Sequence, residues 1–209
     1  MSQDSPWLDW ARRVRAIAQT GQAYTTNSYD LQRFDELTQI ATGMLATLTG
    51  ATVQTIEGMY LPERGYPTPK VDVRAGVFRE DGHVLLVREE SDGRWALPGG
   101  WADEQETPSN ACEREVFEES GCTVRAIKLA AVKDRTQHPY SPPRLEHVYK
   151  MLFVCELIDV GPHLAGETTA AGFFPRDALP ELSIGRTLPI DIDLLWQHRV
   201  EPTLPCYFD

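Results

Sequence analysis

Glu115, Glu118 and Glu119 are spaced i, i+3, i+4, so on a helix three carboxylates project from one side. Carboxylates crowded in this way repel one another unless a cation neutralises them. Hard oxygen ligands with no neighbouring His or Cys point to Mg²⁺ or Mn²⁺. Arg114 can pair with one of the acids, either Glu118 at i+4 or Glu106 across a loop, and hold its geometry. The competing reading is a solvated acidic helix face, the usual meaning of a run of charge.

The local signals support a helix here. Thr107 is a good N-cap, Pro108 suits the first helical position, and Gly121 is placed to end the helix after Ser120. Cys112 and Val116 form an apolar strip beside the acids that can anchor the helix to a sheet. The pattern extends beyond the acids. Gly100-x5-Glu106-x7-Arg114-Glu115-Val116-x-Glu118-Glu119-x-Gly121-Cys122 resembles the Nudix box, with Cys122 where that family prefers Ile, Leu or Val. A chance match to the fixed positions has a probability on the order of one in a billion per starting position. The solvated-face reading therefore loses its weight.

The resemblance covers residues 70–200 and implies an α/β fold, a Nudix α/β/α sandwich around a mixed sheet, with metal-dependent hydrolysis of a diphosphate linkage. On matching positions it implies that Glu115, Glu118 and Glu119 bind Mg²⁺ or Mn²⁺ with the Gly99 carbonyl, and that Arg114 and Glu106 orient the cluster. Glu118 is the first choice for the general base, with Glu115 and Glu167 behind it. Ala170 and Ala171 stand where related sequences often carry an acid, so the base stays open. Thr68-Pro69-Lys70-Val71-Asp72-Val73-Arg74, Leu97 to Asp103 and His147-Val148-Tyr149-Lys150 are similar to a bacterial branch with an N-terminal helical extension. That branch implies a nucleoside diphosphate-linked small-molecule substrate, such as CDP-choline or ADP-ribose, and a homodimer. The products would be a nucleoside monophosphate and a phosphorylated moiety. A non-catalytic nucleotide sensor on the same fold is the alternative, because fold does not fix function.

Other elements must position this stretch. Residues 5–20 read as a helix capped by Ser5 and opened by Pro6, with Trp7, Trp10, Val14 and Ile17 at helical spacing and Gly21 as its end. A second helix starts at Asn27 or Ser28 and carries Leu31, Phe34, Leu37, Ala41, Met44 and Leu48 to Gly50. A third covers 52–60. Three short helices enclose little core alone, so their stripes need a larger partner, either the main domain or a second subunit. The chain is thus expected to divide into a helical dimerisation domain (1–60), a Pro/Gly-rich linker (61–70) and a hydrolase domain (71–209).

In the last of these, 71–78 and 83–88 read as a hairpin around Asp81-Gly82. Residues 94–100 lead into the box, 123–132 and 146–157 read as strands, Phe173-Phe174 opens a short one, and 188–198 forms a last helix. The polar loop 134–144 and the loop 159–169, which carries Glu167, are of the kind that often serves function. Arg74, Arg88 and Arg135 could bind phosphate and Trp95 could stack on a base, against surface charge and core packing as the plain alternatives.

A net charge of −11 argues against a nucleic-acid partner, which needs a basic face. No run of 18 apolar residues predicts a membrane helix. The four cysteines are scattered without a CxxC pair, and Met1 to Asp4 lacks a basic n-region, so reduced thiols and a cytoplasmic location are expected.

Overall fold

The computed structural model describes residues 6–60, 65–163, 166 and 168–209. Ser5 and residues 61–64 of the expected linker lie outside them. The chain divides into two compact units, Met1–Thr68 and Pro69–Asp209.

The first unit holds α1 (Pro6–Tyr24), α2 (Ser28–Thr49) and α3 (Val53–Tyr60). The Asn27 side chain caps α2 by accepting from Tyr29 N–H and Asp30 N–H, and Gly50 ends it in the left-handed conformation. One expectation fails in α1. The helix continues past Gly21 to Tyr24. Gly21 serves packing instead, since a Cβ there would lie 2.3 Å from the Phe34 ring of α2. The side of α1 that is buried is the side of its small residues. Ala11, Arg15, Ala18 and Gln19 are buried, whereas Trp7, Trp10 and Ile17 are exposed. Small residues let α1 and α2 approach closely, so they take the buried side. The large apolar residues stay outside, and Trp7 and Trp10 meet edge to face at 5.0 Å. On α2 the buried residues are Ala41, Thr42, Leu45 and Ala46, while Leu37 and Leu48 are exposed.

The second unit contains β1 (Lys70–Val77), β2 (Val84–Glu89), β3 (Trp95–Ala96), α4 (Pro108–Ser120), β4 (Cys122–Asp134), β5 (Val148–Val160), β6 (Thr168–Phe174), α5 (Pro189–Val200) and β7 (Tyr207–Phe208). A four-stranded mixed sheet runs β1-β5-β4-β7, and a three-stranded antiparallel sheet runs β3-β2-β6. Residues 71–88 are not the expected continuous hairpin. Arg79 N–H donates to the His83 carbonyl around the Asp81-Gly82 corner, and one bridge joins Phe78 to Val84, after which the strands enter different sheets. β1 instead pairs in parallel with β5, Val73 opposite Met151. Residues 73–77 of β1 are all buried, and parallel strands covered on both faces read this way. β7 is too short to have a sequence signal.

The other edge of β1 is taken by the stretch that leads into the box. Ala75 N–H donates to the Pro98 carbonyl, Val73 N–H to Gly100, and Ala102 N–H to Val71. Two apolar clusters lie on either side of the strands. One joins Ala111, Cys112 and Val116 of α4 to Val73, Ala75, Val124 and Phe153. The other joins Ile192 and Leu195 of α5 to Leu86, Leu97, Ala130 and Leu152. The sandwich is the expected one, and α4 is fixed to its sheet through the strip read from the sequence. All four cysteines are free thiols.

Candidate active site

Each end of α4 is set by a residue chosen for it. Thr107 Oγ1 accepts from Asn110 N–H at 3.3 Å, Pro108 opens the helix, and Gly121 closes it at φ 73° with its N–H on the Phe117 carbonyl. The acids therefore have a rigid base. Glu119 is 8% exposed, and its Oε2 accepts the Gly99 N–H at 2.8 Å. Glu115 lies against Gly100, where a Cβ would meet its carboxylate at 2.8 Å. Gly99 has φ 141°, and a Cβ there would stand 2.0 Å from the Val73 carbonyl oxygen. The paired glycines are thus required twice, once by the approach to β1 and once by the approach to the acids.

Arg114 ties the cluster together. Its Nη1 donates to Glu115 Oε1 at 3.0 Å and to Glu118 Oε2 at 2.9 Å. Its Nε and Nη2 reach Glu106 at 3.1 Å, and Nη2 also reaches the Trp101 carbonyl. Both pairings weighed from the sequence are made at once. The Arg114 hydrogen bond holds the Glu106 carboxyl below its usual range. Glu115 and Glu119 move the other way. Burial raises Glu115 despite Arg114, and raises Glu119 to about 8 despite Arg74 and the Gly99 N–H.

Among the described residues, the cleft around these groups is lined by six carboxyl groups, of Asp72, Glu89, Asp103, Glu115, Glu118 and Glu119. Against them stand the guanidinium groups of Arg74, Arg114, Arg144 and Arg186. An anionic diphosphate could not enter this excess of negative charge unless added positive charge accompanied it. The all-oxygen donor set and the burial-raised carboxyls suit a hard divalent cation. Among the described residues, no three His, Cys, Asp or Glu side chains stand close enough to enclose a metal ion. Arg114 bridges Glu115 and Glu118 instead, and supplies the positive charge there.

The substrate-binding expectations fare differently. Arg74 lines the cleft, but its Nε pairs with Asp72 at 2.8 Å and its Nη1 with the Leu97 carbonyl at 3.1 Å. It is a buried internal counterion rather than a phosphate clamp. Lys150, fully buried on β5, donates to the same Asp72 at 2.8 Å. Burial opposes the Asp72 charge, but Arg74 and Lys150 hold its carboxyl at about 2, while burial lowers Lys150 to about 8. Arg88 is exposed on β2 and closes the turn by donating to the Gly93 carbonyl, away from the cleft lining. Trp95 packs edge to face on Phe174 at 4.6 Å against the core, the plain alternative weighed for it. Arg135 is buried and pins its loop through the Pro142 and Gly185 carbonyls. Glu167 lies outside the described residues.

Two cleft residues, Glu89 and Arg186, were absent from the sequence-based reading, and a third, Arg144, entered it as a member of the polar loop 134–144 that could contact a phosphate or base. Arg144 comes from the loop after β4 and lies over the Trp101 ring at 5.1 Å. Glu89 ends β2, and Arg186 meets it from the segment before α5 at 3.0 Å. Neither Glu89 nor Arg186 carries a local pattern, because only the packed strands bring residues 89 and 186 to the same place.

Comparison with known proteins agrees with this geometry. Residues 68–190 match the family model of the NUDIX domain, and residues 5–60 match that of a UDP-X-like N-terminal oligomerisation domain. The chain therefore belongs to the Nudix hydrolase family. It is 39% identical over 203 residues, 97% of each chain, to YjhB of Bacillus subtilis, provisionally named an ADP-ribose pyrophosphatase. Among solved structures, a UDP-X diphosphatase superposes with a TM-score of 0.62 at 28% identity over the whole of both chains. An ADP-ribose pyrophosphatase from Streptococcus suis gives 0.61 at 35% identity, covering 68% of this chain and all of that one.

Proposed function

We propose that the chain hydrolyses the diphosphate linkage of a nucleoside diphosphate-linked small molecule, with ADP-ribose and UDP-linked compounds as first candidates. The observation that carries this reading is the cleft in which the carboxylates of α4 face the Gly99-Gly100 backbone on the edge of β1. The names of the relatives that match the chain along its full length support the substrate class.

Glu115, Glu118 and Glu119, with the Gly99 carbonyl, would hold Mg²⁺ or Mn²⁺. When bound, such an ion neutralises phosphate oxygens and acidifies water. Glu118 and Glu115 would turn from Arg114 to do this, while Glu106 keeps Arg114 in place. Arg144 and Trp101 would meet the substrate at the mouth of the cleft. The products would be a nucleoside monophosphate and a phosphorylated moiety. A panel of ADP-ribose, UDP-linked sugars and CDP-choline, incubated with the full chain and Mg²⁺ and scored for the monophosphate released, tests the reading. Cleavage of one or more that stops with EDTA is expected. Tight binding without turnover across the panel would overturn it.

The exposed Trp7, Trp10 and Ile17 of α1 support a homodimer built through the first unit, as does its match to an oligomerisation domain. Trp10→Glu combined with Ile17→Glu is expected to shift the sedimentation coefficient to that of a monomer with helicity retained. An unchanged dimer would remove this face from the interface. None of the described helices is long and apolar enough to cross a membrane.

A further inference from the structure

The hydrolytic reading leaves a proton to be taken from the attacking water, and among the described residues the cleft offers six carboxylates for it. Five are already committed. Asp72 is locked between Arg74 and Lys150, and a carboxyl held at about 2 is a weak base near neutrality. Asp103 sits at the rim, with its side chain 77% exposed and 3.8 Å from Arg114. Glu115, Glu118 and Glu119 all come from α4 and are the groups assigned above to the cation. Arg114 meanwhile ties Glu115 and Glu118 together.

Glu89 differs in origin and in environment. It belongs to β2, in the three-stranded sheet, and is 7% exposed. The β2–β6 register breaks between Arg88 and Glu89, so that Arg88 pairs with Ala170 and Glu89 with Thr168. Such a break re-aims the side chain. Arg88 is left exposed on the surface while Glu89 lines the cleft. The partner opposite, Thr168, donates its hydroxyl to the Glu119 carbonyl at 2.8 Å, which ties this point of the sheet to the last turn of α4. Arg186 grips Glu89 Oε1 at 3.0 Å and is itself steadied by the Ser183 hydroxyl at 3.1 Å and the Ser91 hydroxyl at 3.0 Å. A buried carboxylate held by a braced guanidinium has a fixed orientation, as proton transfer requires.

We propose that Glu89, in place of the Glu118 first expected from the sequence, is the proton acceptor for the attacking water, with Arg186 as its positioning residue. The water oxygen bonds to one phosphorus as its proton passes to the Glu89 carboxylate. The bridging P–O bond breaks with its electron pair going to the departing phosphate, and Glu89 then releases the proton to solvent. This assignment rests on the hydrolytic reading above.

The test is Glu89→Gln in the full chain, which keeps size and an acceptor for Arg186. With Mg²⁺ and ADP-ribose, or whichever panel compound the unaltered chain cleaves, kcat is expected to fall by about 10²–10⁴-fold. KM, Tm and the calorimetric affinity for Mg²⁺ should stay within about threefold or a few degrees of their original values. Glu89→Asp should recover about tenfold of the lost kcat. A kcat for Glu89→Gln within about tenfold of the original would overturn the assignment. So would a Mg²⁺ affinity more than about tenfold weaker, which would make Glu89 a ligand. So would equal losses of Tm and kcat in Glu89→Gln and Arg186→Met, which would reduce the pair to a structural contact. If the unaltered chain cleaves no member of the panel, the hydrolytic reading itself fails, and this assignment with it.

Discussion

Glu119→Gln is expected to lower kcat by about 10²-fold or more, with the fold intact, as befits removal of one charge from a cation-binding set. The substitution is mild in every other respect. The Gln amide oxygen can still accept the Gly99 N–H that Glu119 Oε2 accepts at 2.8 Å. Without metal, burial holds the Glu119 carboxyl at about 8, so near neutral pH it is largely protonated and the neutral Gln replaces it closely. The Tm without added metal should therefore be unchanged or higher, while the rise in Tm on adding millimolar Mg²⁺ should shrink. Paired melting curves with and without Mg²⁺, alongside kcat, make the check. Near-normal turnover, or an undiminished response to Mg²⁺, would remove Glu119 from the ligand set.

Gly99→Ala should be among the most damaging single methyls in the box region. Gly99 has φ 141°, a conformation that L side chains rarely adopt. The added Cβ would stand 2.0 Å from the Val73 carbonyl oxygen and 2.9 Å from the Arg74 Cα, both backbone atoms that cannot rotate away. β1 must shift, or the 98–102 stretch must leave its edge. A loss of about 2–5 kcal/mol in urea unfolding is expected, with activity reduced by at least about 10²-fold. Gly43→Ala, in the helical interior of α2 with nothing within 4 Å of the new methyl, provides the contrast and should be neutral or slightly stabilising. Equal stabilities for the two variants would show that Gly99 is not held against β1.

What could be read in the chain beforehand depended on the range of the signal. Thr107, Pro108 and Gly121 act on their own backbone, so the limits of α4 were visible in the sequence. The same holds for Asn27 and Gly50 on α2. The reach of Arg114 was also visible, because Glu106, Glu115 and Glu118 lie within a short span. The hairpin expected for residues 71–88 failed because a turn signal fixes a corner and not the partners of the strands that leave it. β1 found its neighbour in β5, some 78 residues on in the register that sets Lys70 against Val148. Which residues of α1 pack on α2 was hidden for a related reason. Trp7, Trp10 and Ile17 have helical spacing, but Ala11 and Ala18 fit the close approach to α2 that Gly21 and Phe34 demand.

The cleft shows the same limit. Its α4 wall was legible, but its other walls draw on residues 72–74, 89, 144 and 186, which no sequence spacing relates. For Arg88 and Trp95 the choice between ligand contact and the plain alternative is decided by strand register, and for Arg135 by a loop that folds back onto its own carbonyls. Charge type alone could not separate Arg74, a partner of Asp72, from Arg144, which lies over Trp101 at the cleft.

The grip of Arg114 on three acids at once bears on how a new copy of this protein matures. A chain leaving the ribosome need not wait for a mineral nutrient before its acidic helix settles, since an internal guanidinium already quiets the repulsion. Folding and the arrival of a divalent ion become separate events, and a cell short of such ions would accumulate folded rather than misfolded molecules.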